Sequence, residues 1–297
     1  MLPRKAPGDE VMLGATGPSD TEDDGSGELP KYHRPPVAEL VLSVAFEPLS
    51  PLNSFQFFKL WTERFQAFPR IEEQLPYDPQ VERFGRAHLL PSMRLALGQP
   101  MGRYWFVNDD DTGLIQIQRD WFARNWRRTR EEVIYPSFEH VHAQFRDNLS
   151  QLIDFIDTAG LGEFLPTQCE VTYVNHIDRR GAWESHGDAS KVFSVLSEHQ
   201  DARFLPKAED ELFGIRYVIP SATGEPIGRL QVQCQPAYRD ADQTDPIFVL
   251  NVTARGAPLS VDVDGVHAFL RIGHEWIVRG FTEMTTTAMH KAWERYV

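Results

Sequence analysis

Apolar residues recur at steps of three and four in two long stretches, and this spacing predicts two long amphipathic helices. The first covers residues 136–158, and Pro136 suits its first turn. The second begins after Asp262 or Asp264, either of which can cap it. Shorter helices are predicted over residues 53–68, over residues 189–198 and near the C-terminus.

Shorter apolar or alternating runs between these helices predict strands. A polar turn with Gly113 joins two of them into a hairpin, because glycine readily adopts the positive φ that such turns need. Residues 81–98 have no clear period and fit a strand and an irregular stretch equally well. The predicted strands cover residues 37–46, 103–107, 114–118, 169–177, 212–219, 227–235 and 247–253.

The order of these elements is the same in both halves of the chain: strand, short helix, two or three strands, long helix. We therefore predict an α+β fold with a duplicated β-α-β-β-β-α unit, although the halves share no visible sequence identity. Two such units form a curved, mainly antiparallel sheet with the long helices packed on one face. The halves would span residues 31–165 and 166–297, either as two units or as one continuous domain.

The first 30 residues have a different composition from the rest. They contain five glycines, four prolines, seven acidic residues and two basic residues. Such a segment buries too little apolar surface to offset its chain entropy, so a disordered acidic tail is predicted. The whole chain has a formal net charge of −13, which disfavours generic binding to nucleic acid unless a local basic patch overcomes it.

Two cysteines, Cys169 and Cys234, are too few and too far apart for a disulfide framework or a zinc site. Both lie in apolar runs, so buried free thiols in a reducing compartment are predicted. The sequence has no apolar signal core and no apolar run of membrane-spanning length. We therefore expect a cytoplasmic protein that does not interact with a membrane.

The sequence lacks the common catalytic and cofactor motifs, including a P-loop, a dinucleotide-binding glycine pattern and a nucleophile elbow. His274 and Glu275 do not begin a zinc-protease motif, because position 278 is valine. Glu275 and Arg279 are four residues apart, which predicts an ordinary helical ion pair. No catalytic residue, metal site or cofactor is predicted, and an enzyme is disfavoured.

The first candidate binding segment, residues 119–130, is called the Arg/Trp segment and combines five arginines with three large aromatic residues. Arginine beside tryptophan suits a protein interface, and it can also hold phosphates and stack on bases. A structural interpretation is simpler: the aromatic side chains pack inward while the arginines pair with carboxylates of this acidic protein. The candidate binding residues are Arg119, Arg124, Asn125, Trp126, Arg127 and Arg128.

The second candidate is the strand that contains Tyr173, Asn175 and His176. Alternation places Tyr173 and Asn175 on one face of the strand and His176 on the other. Polar side chains on the face of a curved sheet can line a ligand pocket, although a satisfied polar cluster is the more common outcome. These three residues complete the set of predicted partner- or ligand-binding positions.

Four segments form a recognisable set: residues 32–39 (YHRPPVAE), 114–120 (LIQIQRD) running into 125–127 (NWR), 170–177 (EVTYVNHI) and 273–282 (GHEWIVRGFT). Together they resemble a sporadically distributed bacterial protein family of unknown function. The resemblance covers about residues 31–297 and implies no activity, cofactor or site residue. A patchy distribution fits mobile or conflict-related genes, so the resemblance implies a defence-type setting.

The first functional hypothesis is therefore a non-catalytic protein-binding module, in a bacterial toxin-neutralising or defence-type system. It predicts a stoichiometric protein partner, and a homodimer is compatible with it. The second hypothesis is a small-molecule-binding protein or enzyme with a pocket between the sheet and the long helices. The third is an RNA- or DNA-binding protein that uses the Arg/Trp segment.

Overall fold

A computed structural model describes residues 27–84, 102–196 and 204–297, so the predictions for residues 1–26 and 85–98 lie outside the described residues. The described chain forms one nine-stranded antiparallel sheet with helices. The strands are β1 (Val37–Phe46), β2 (Arg70–Gln74), β3 (Arg103–Val107), β4 (Gly113–Gln118), β5 (Trp121–Arg127), β6 (Pro166–Ile177), β7 (Phe213–Pro220), β8 (Pro226–Tyr238) and β9 (Pro246–Gly256). The helices are α1 (Ser54–Arg64), α2 (Phe138–Thr158), α3 (Ala189–Val192), α4 (Val263–Met284) and α5 (Thr287–Ala292).

The strand order is β2-β3-β4-β5-β1-β6-β9-β8-β7, and it confirms the predicted duplication of an α+β unit. The first strands of the two halves, β1 and β6, pair antiparallel at the centre of the sheet. Each half then adds its remaining strands outward, beginning with the last one: β5 lies beside β1, and β9 lies beside β6. The sheet runs through both halves without interruption.

The two long helices lie on the same face of the curved sheet, as predicted. Helix α2 contacts β5 and β1, whereas α4 contacts β6, β9 and β8. Helix α4 approaches the sheet closely because Gly273 has no side chain: a Cβ there would be 3.1 Å from Ala254 Cβ and 3.3 Å from Val171 Cγ2. Both helices begin with a capping side chain, Ser137 for α2 and Asp262 for α4.

The sequence analysis missed two strands and overestimated one helix. Strand β2 has the sequence RIEEQ at the edge of the sheet, and such a polar run gives no apolar alternation to detect. The residues of β5 were not predicted to form a strand, because they include arginine and asparagine. They nevertheless form an interior strand of the sheet. Helix α3 has only four residues, and the end of the helix predicted over 189–198 lies outside the described residues.

A single large apolar cluster fills the space between the sheet and the helices. Cys169 and Cys234 lie within it as free thiols, as predicted. Burial raises the pKa of the Cys234 thiol to about 12 and raises that of Cys169 as well. Within the described ranges, no helix is long and apolar enough to cross a membrane.

Candidate functional site: a cavity between the sheet and the two long helices

A cavity of about 640 Å³ lies between the central strands and the two long helices. One wall is formed by β6 together with the start of α2, and a second wall is formed by α4. Residues 28–37, which lead into β1, form a third wall beside Tyr296 near the C-terminus. Backbone hydrogen bonds attach this entry segment to the end of the chain, since Lys31 N–H donates to Val297 O and Tyr296 N–H donates to Lys31 O.

Three polar side chains from three different elements form a hydrogen-bonded row in this cavity. The hydroxyl groups of Tyr135 and Tyr173 are 2.9 Å apart, and the Tyr173 hydroxyl is 3.0 Å from His274 Nδ1. Tyr135 lies in the connection before α2, Tyr173 on β6 and His274 on α4. The fold therefore brings together residues that lie up to 139 positions apart in the printed sequence.

The imidazole of His274 is held in a fixed orientation by its neighbours. Phe138 stacks on it with ring centroids 3.9 Å apart and an interplanar angle of 1°. Burial lowers the pKa of His274 to about 4, with Glu139 acting in the opposite direction, so the ring is neutral at neutral pH. If Tyr173 donates to Nδ1, Nε2 carries the ring proton, and no other described residue accepts a hydrogen bond from it.

Both tyrosines of the row are poor acids in this setting. Burial raises the pKa of Tyr173 well above its usual range, and Tyr135 adds to the effect. Burial also raises the pKa of Tyr135, although its hydrogen bond to Tyr173 acts against the shift. The row is thus uncharged at neutral pH and offers hydrogen-bonding groups rather than charge.

Aromatic and apolar side chains form the rest of the cavity, and its few charges nearly balance. Lys31 pairs with Glu28 in the entry segment, and Glu139 adds one further carboxylate at the start of α2. The apolar part of the lining includes Tyr32, Val37, Phe138, Ile277, Val278 and Phe281. A cavity with apolar walls and a few oriented polar groups is typical of a small-molecule site.

The cavity wall also contains strained backbone. Ser137, the capping residue of α2, has φ 148° and ψ 166°, a region that glycine occupies almost exclusively. Its hydroxyl accepts a hydrogen bond from His140 N at 3.2 Å. Strain of this kind collects at functional sites, where the surrounding structure holds an unfavourable conformation in place.

A pair of histidines lies along the seam between α2 and α4. His142 Nε2 and His267 Nδ1 are 3.2 Å apart, and Phe138 stacks on both His142 and His274. Burial lowers the pKa of His142 to about 4 and also lowers that of His267. Within the part of the chain that the structure describes, no group of three or more His, Cys, Asp or Glu side chains is arranged to hold a metal ion.

The predicted alternation of β6 is present in the structure. Tyr173 and Asn175 face the helices and line the cavity, whereas the exposed His176 lies on the opposite face. Asn175 Nδ2 donates to Leu250 O at 3.1 Å, which orients its amide. The cavity therefore contains two of the three residues predicted on this strand.

The Arg/Trp segment lies mostly inside the fold. Trp126 is buried and contacts Tyr135 edge-on, with ring centroids 5.3 Å apart. Arg124 is 5% exposed on the helix-facing side of β5, where it donates to Gln144 Oε1 at 3.0 Å. The buried Asn125 lies on the opposite face.

The remaining arginines of this segment lie at the two ends of β5. Arg119 is exposed in the turn before the strand, and Arg127 donates to Asp111 O at 3.3 Å. Arg128 donates to Pro35 O at 3.3 Å. The arginines of residues 119–130 were expected to pair with carboxylates, but none of them has an ion-pair partner among the described residues.

Sequence reasoning missed Tyr135, Phe138 and His274 as site residues. Phe138 matched the apolar stripe of a helix, and His274 was considered only as part of a metal motif. Glu275 and Arg279 do form the predicted ion pair, at 3.0 Å. The sequence feature that could have indicated this site is the placement of His274 next to the apolar stripe of α4. A single histidine at such a position, however, is more often structural than functional.

Comparisons with known proteins give no further identification. No family model, no curated protein and no solved structure matches this chain.

Proposed function

We propose that the protein binds an uncharged small molecule in the cavity between its sheet and long helices. The observation that supports this function is the hydrogen-bonded row of Tyr135, Tyr173 and His274 along a cavity of about 640 Å³. Small-molecule sites have volumes of about 300 to 1,000 Å³ and combine apolar walls with a few oriented polar groups. This cavity meets both criteria.

The lining favours an uncharged, largely aromatic ligand with one hydrogen-bonding group. The deep polar groups are neutral, because His274 has a pKa of about 4 and the tyrosines stay protonated. A charged ligand group in contact with Tyr173 and His274 would meet only neutral polar groups there, and unpaired buried charge is costly. Phe281, Ile277 and Val278 provide apolar surface for a ring.

The test uses a library of uncharged fluorinated aromatic fragments, with binding detected by ligand-observed fluorine NMR. We expect fragments that bind with dissociation constants below about 1 mM. Val278→Trp should abolish their binding by filling the cavity. Tyr135→Phe should weaken the binding of hydrogen-bonding fragments about tenfold, because it removes the terminal hydroxyl group of the row.

Tyr238→Phe is the matched control, since Tyr238 is 44% exposed and lies outside the cavity lining. It should bind the same fragments as the wild type. The proposal is wrong if no fragment binds, or if Val278→Trp binds as the wild type does while keeping its thermal midpoint.

Protein binding is a second candidate function, and a different surface supports it. Strand β7 is the last strand of the sheet, and several large apolar side chains near it are exposed. An exposed apolar sheet edge suits the addition of an extended strand from another protein. The exposed side chains are Phe204 (94%), Leu205 (66%), Leu212 (74%), Tyr217 (39%) and Val218 (47%).

This candidate keeps the toxin-neutralising or defence-type setting and the cytoplasmic location as predictions. A partner recovered at one-to-one ratio from the native host should be lost with Val218→Asp, which places a charge on the edge strand. Arg216→Asp is a poor control because it inverts an existing charge, so Leu75→Asp serves instead, since Leu75 is 83% exposed and follows β2 at the opposite edge of the sheet. Equal recovery with both variants would exclude β7 as the binding surface.

A further inference from the structure

A second group of charged side chains lies where β1 begins and where β5 and β6 end. Arg128 follows β5, and its backbone N–H donates to Ala38 O at 2.7 Å. His176, next to the last residue of β6, donates its backbone N–H to Pro36 O at 2.9 Å. These contacts fix both residues beside the segment that leads into β1, on a part of the surface that does not line the cavity.

Two arginines pair with Asp178 at this end of the sheet, and Arg128 interacts with the same carboxylate over a longer distance. Arg180 Nε lies 2.7 Å from Asp178 Oδ1, and Arg239 Nη2 lies 3.9 Å from Asp178 Oδ2. Arg128 has no carboxylate within ion-pair distance among the described residues. Its Nε is buried without a hydrogen-bond acceptor, although its Nη2 donates to Pro35 O.

The nearby carboxylate of Asp245 does not balance these charges, because it also pairs with a fourth arginine, Arg179. Asp245 lies 3.4 Å from Arg239 Nη1 and 3.8 Å from Arg179 Nη2. Four arginines thus share these two carboxylates, and Asp240, in the same turn as Asp245, adds a third negative charge, so positive charge is still in excess here on a protein with a net charge of −13.

The titration behaviour of the group agrees with this excess. Burial and the neighbouring Arg180 and Arg239 lower the pKa of Arg128, while Asp178 acts in the opposite direction. Partial burial lowers the pKa of His176, and Arg239 and Arg128 lower it further. The positive charges of Arg128 and His176 are therefore disfavoured by the neighbouring arginines, and a bound anion would relieve this repulsion.

We propose that Arg128, Arg180 and Arg239 bind a phosphate group at this end of the sheet. A phosphate anion suits the local excess of positive charge, and guanidinium groups form paired hydrogen bonds to its oxygens. The phosphate contacts the Nη groups of Arg128, since its Nε is enclosed by the protein. The site is separate from the cavity, so its occupation does not depend on the proposed small-molecule function.

Phosphorus NMR and calorimetry with inorganic phosphate test the proposal at low ionic strength. We expect a dissociation constant below about 10 mM, and a rise in the pKa of His176 as phosphate binds. Arg128→Met should weaken binding at least about tenfold. Arg239→Met should have a similar effect, and it provides a second test on a side chain that is 42% exposed, so its removal should not impair folding.

Arg130→Met is the matched control, because Arg130 is an exposed arginine two residues beyond Arg128 and forms no ion pair among the described residues. It should bind phosphate as the wild type does. A single-stranded oligonucleotide distinguishes the source of the phosphate group. Binding to the oligonucleotide that is steeply salt-dependent, lost in Arg128→Met and not displaced by inorganic phosphate would identify a nucleic-acid backbone.

Displacement of the oligonucleotide by inorganic phosphate would instead identify a small phosphate ligand. The proposal is overturned if neither probe binds at low ionic strength. It is also overturned if Arg130→Met weakens binding as much as Arg128→Met, since the effect would then reflect overall charge.

Discussion

The two halves of the sheet solve the same packing problem with different side chains. Strands β5 and β9 occupy corresponding places, because each pairs with the first strand of its half and lies under the long helix of that half. On β5, Arg124 lies between Phe122 and Trp126 on the helix-facing side. The helix-facing side of β9 is wholly apolar and consists of Phe248, Leu250, Val252 and Ala254.

The long helices differ in the same way. Helix α4 has Gly273 against the sheet and packs by close approach of its backbone. Helix α2 instead presents Gln144 to the guanidinium of Arg124. A duplicated framework therefore tolerates a polar contact in one half and a tight apolar contact in the other, and the cavity lies where these two packing modes meet.

The largest expected effect comes from filling the close contact in the second half. Gly273→Leu should lower the free energy of unfolding by about 2 to 3 kcal/mol, because the new side chain overlaps Ala254 and Val171. The better helix propensity of leucine offsets only about 1 kcal/mol of the strain. Urea unfolding followed by circular dichroism measures the change.

The control for this prediction lies on the other long helix. Ala143 is a partly exposed residue in the middle of α2, so Ala143→Leu should change the free energy of unfolding by less than about 0.5 kcal/mol. Equal losses in the two variants would show that close approach to the sheet is not particular to α4.

The seam between the halves should make the fold sensitive to acid. Burial, His267 and the arginines Arg146 and Arg271 lower the pKa of His142 to about 4 in the folded state, while His in an unfolded chain titrates near 6.5. The stabilisation that depends on neutral His142 is complete above pH 6.5 and is lost as the pH falls towards 4. At pH 5 the expected loss is about 2 kcal/mol.

Urea unfolding at pH 7.5 and pH 5 tests this dependence. His142→Gln should reduce the difference between the two pH values by most of that amount. His140→Gln is the control, since His140 is exposed on the same helix and bonds only to Gln144. The other charged groups near the histidines, Asp264 and Glu139, are unchanged in both variants.

Replacing the buried arginine of the first half should stabilise the protein. Burial lowers the pKa of Arg124 to about 10, with Asp110 acting against the shift, so its charge is disfavoured in the fold at every pH below that value. Arg124→Met should raise the free energy of unfolding by about 1 kcal/mol at neutral pH, because an apolar side chain of similar length often replaces a buried charge without loss.

Arg127→Met, on the opposite face of β5, should change stability by less than about 0.5 kcal/mol. A loss of stability in Arg124→Met would mean that the hydrogen bond to Gln144 outweighs the cost of burying the guanidinium. The polar contact of the first half would then stabilise the fold as the apolar packing of the second half does.

The sequence predicted the parts of this structure that depend on local periodicity. The stripes of α2 and α4, the hairpin before Gly113 and the alternation of β6 all follow from residues a few positions apart. The positive φ in that hairpin, however, belongs to Asp111 and not to Gly113 as predicted. Strand β5 could not be predicted in this way, because an arginine in an interior strand contradicts the usual link between charge and exposure.

The cavity is formed by contacts between residues that lie far apart in the sequence, and no local pattern predicts such contacts. Tyr173 and His274 are 101 residues apart, and only the pairing of the two halves brings them within hydrogen-bonding distance. His176, predicted on the same strand as Tyr173, was already assigned to the opposite face by the alternation. The alternation along β6 therefore separates these residues, but it does not predict their partners on other elements.

The smallest expected effect concerns the starts of the two long helices. Ser137 caps α2 with φ 148°, whereas Asp262 caps α4 with an ordinary extended φ of −130°. Ser137→Gly should raise the free energy of unfolding by about 1 kcal/mol, because relief of the strain exceeds the few tenths lost with the cap. Asp262→Gly has no strain to relieve and should lose a few tenths of a kcal/mol.

Thermal unfolding of the two glycine variants measures this contrast directly. Because Ser137 lines the cavity, Ser137→Gly should also weaken fragment binding relative to the wild type, whereas Asp262→Gly should leave it unchanged. Stabilisation with weaker binding would mean that the strained cap holds the cavity wall in its binding conformation. Stabilisation with unchanged binding would mean that the strain at α2 is a cost of joining the helix to β5 and has no role in the cavity.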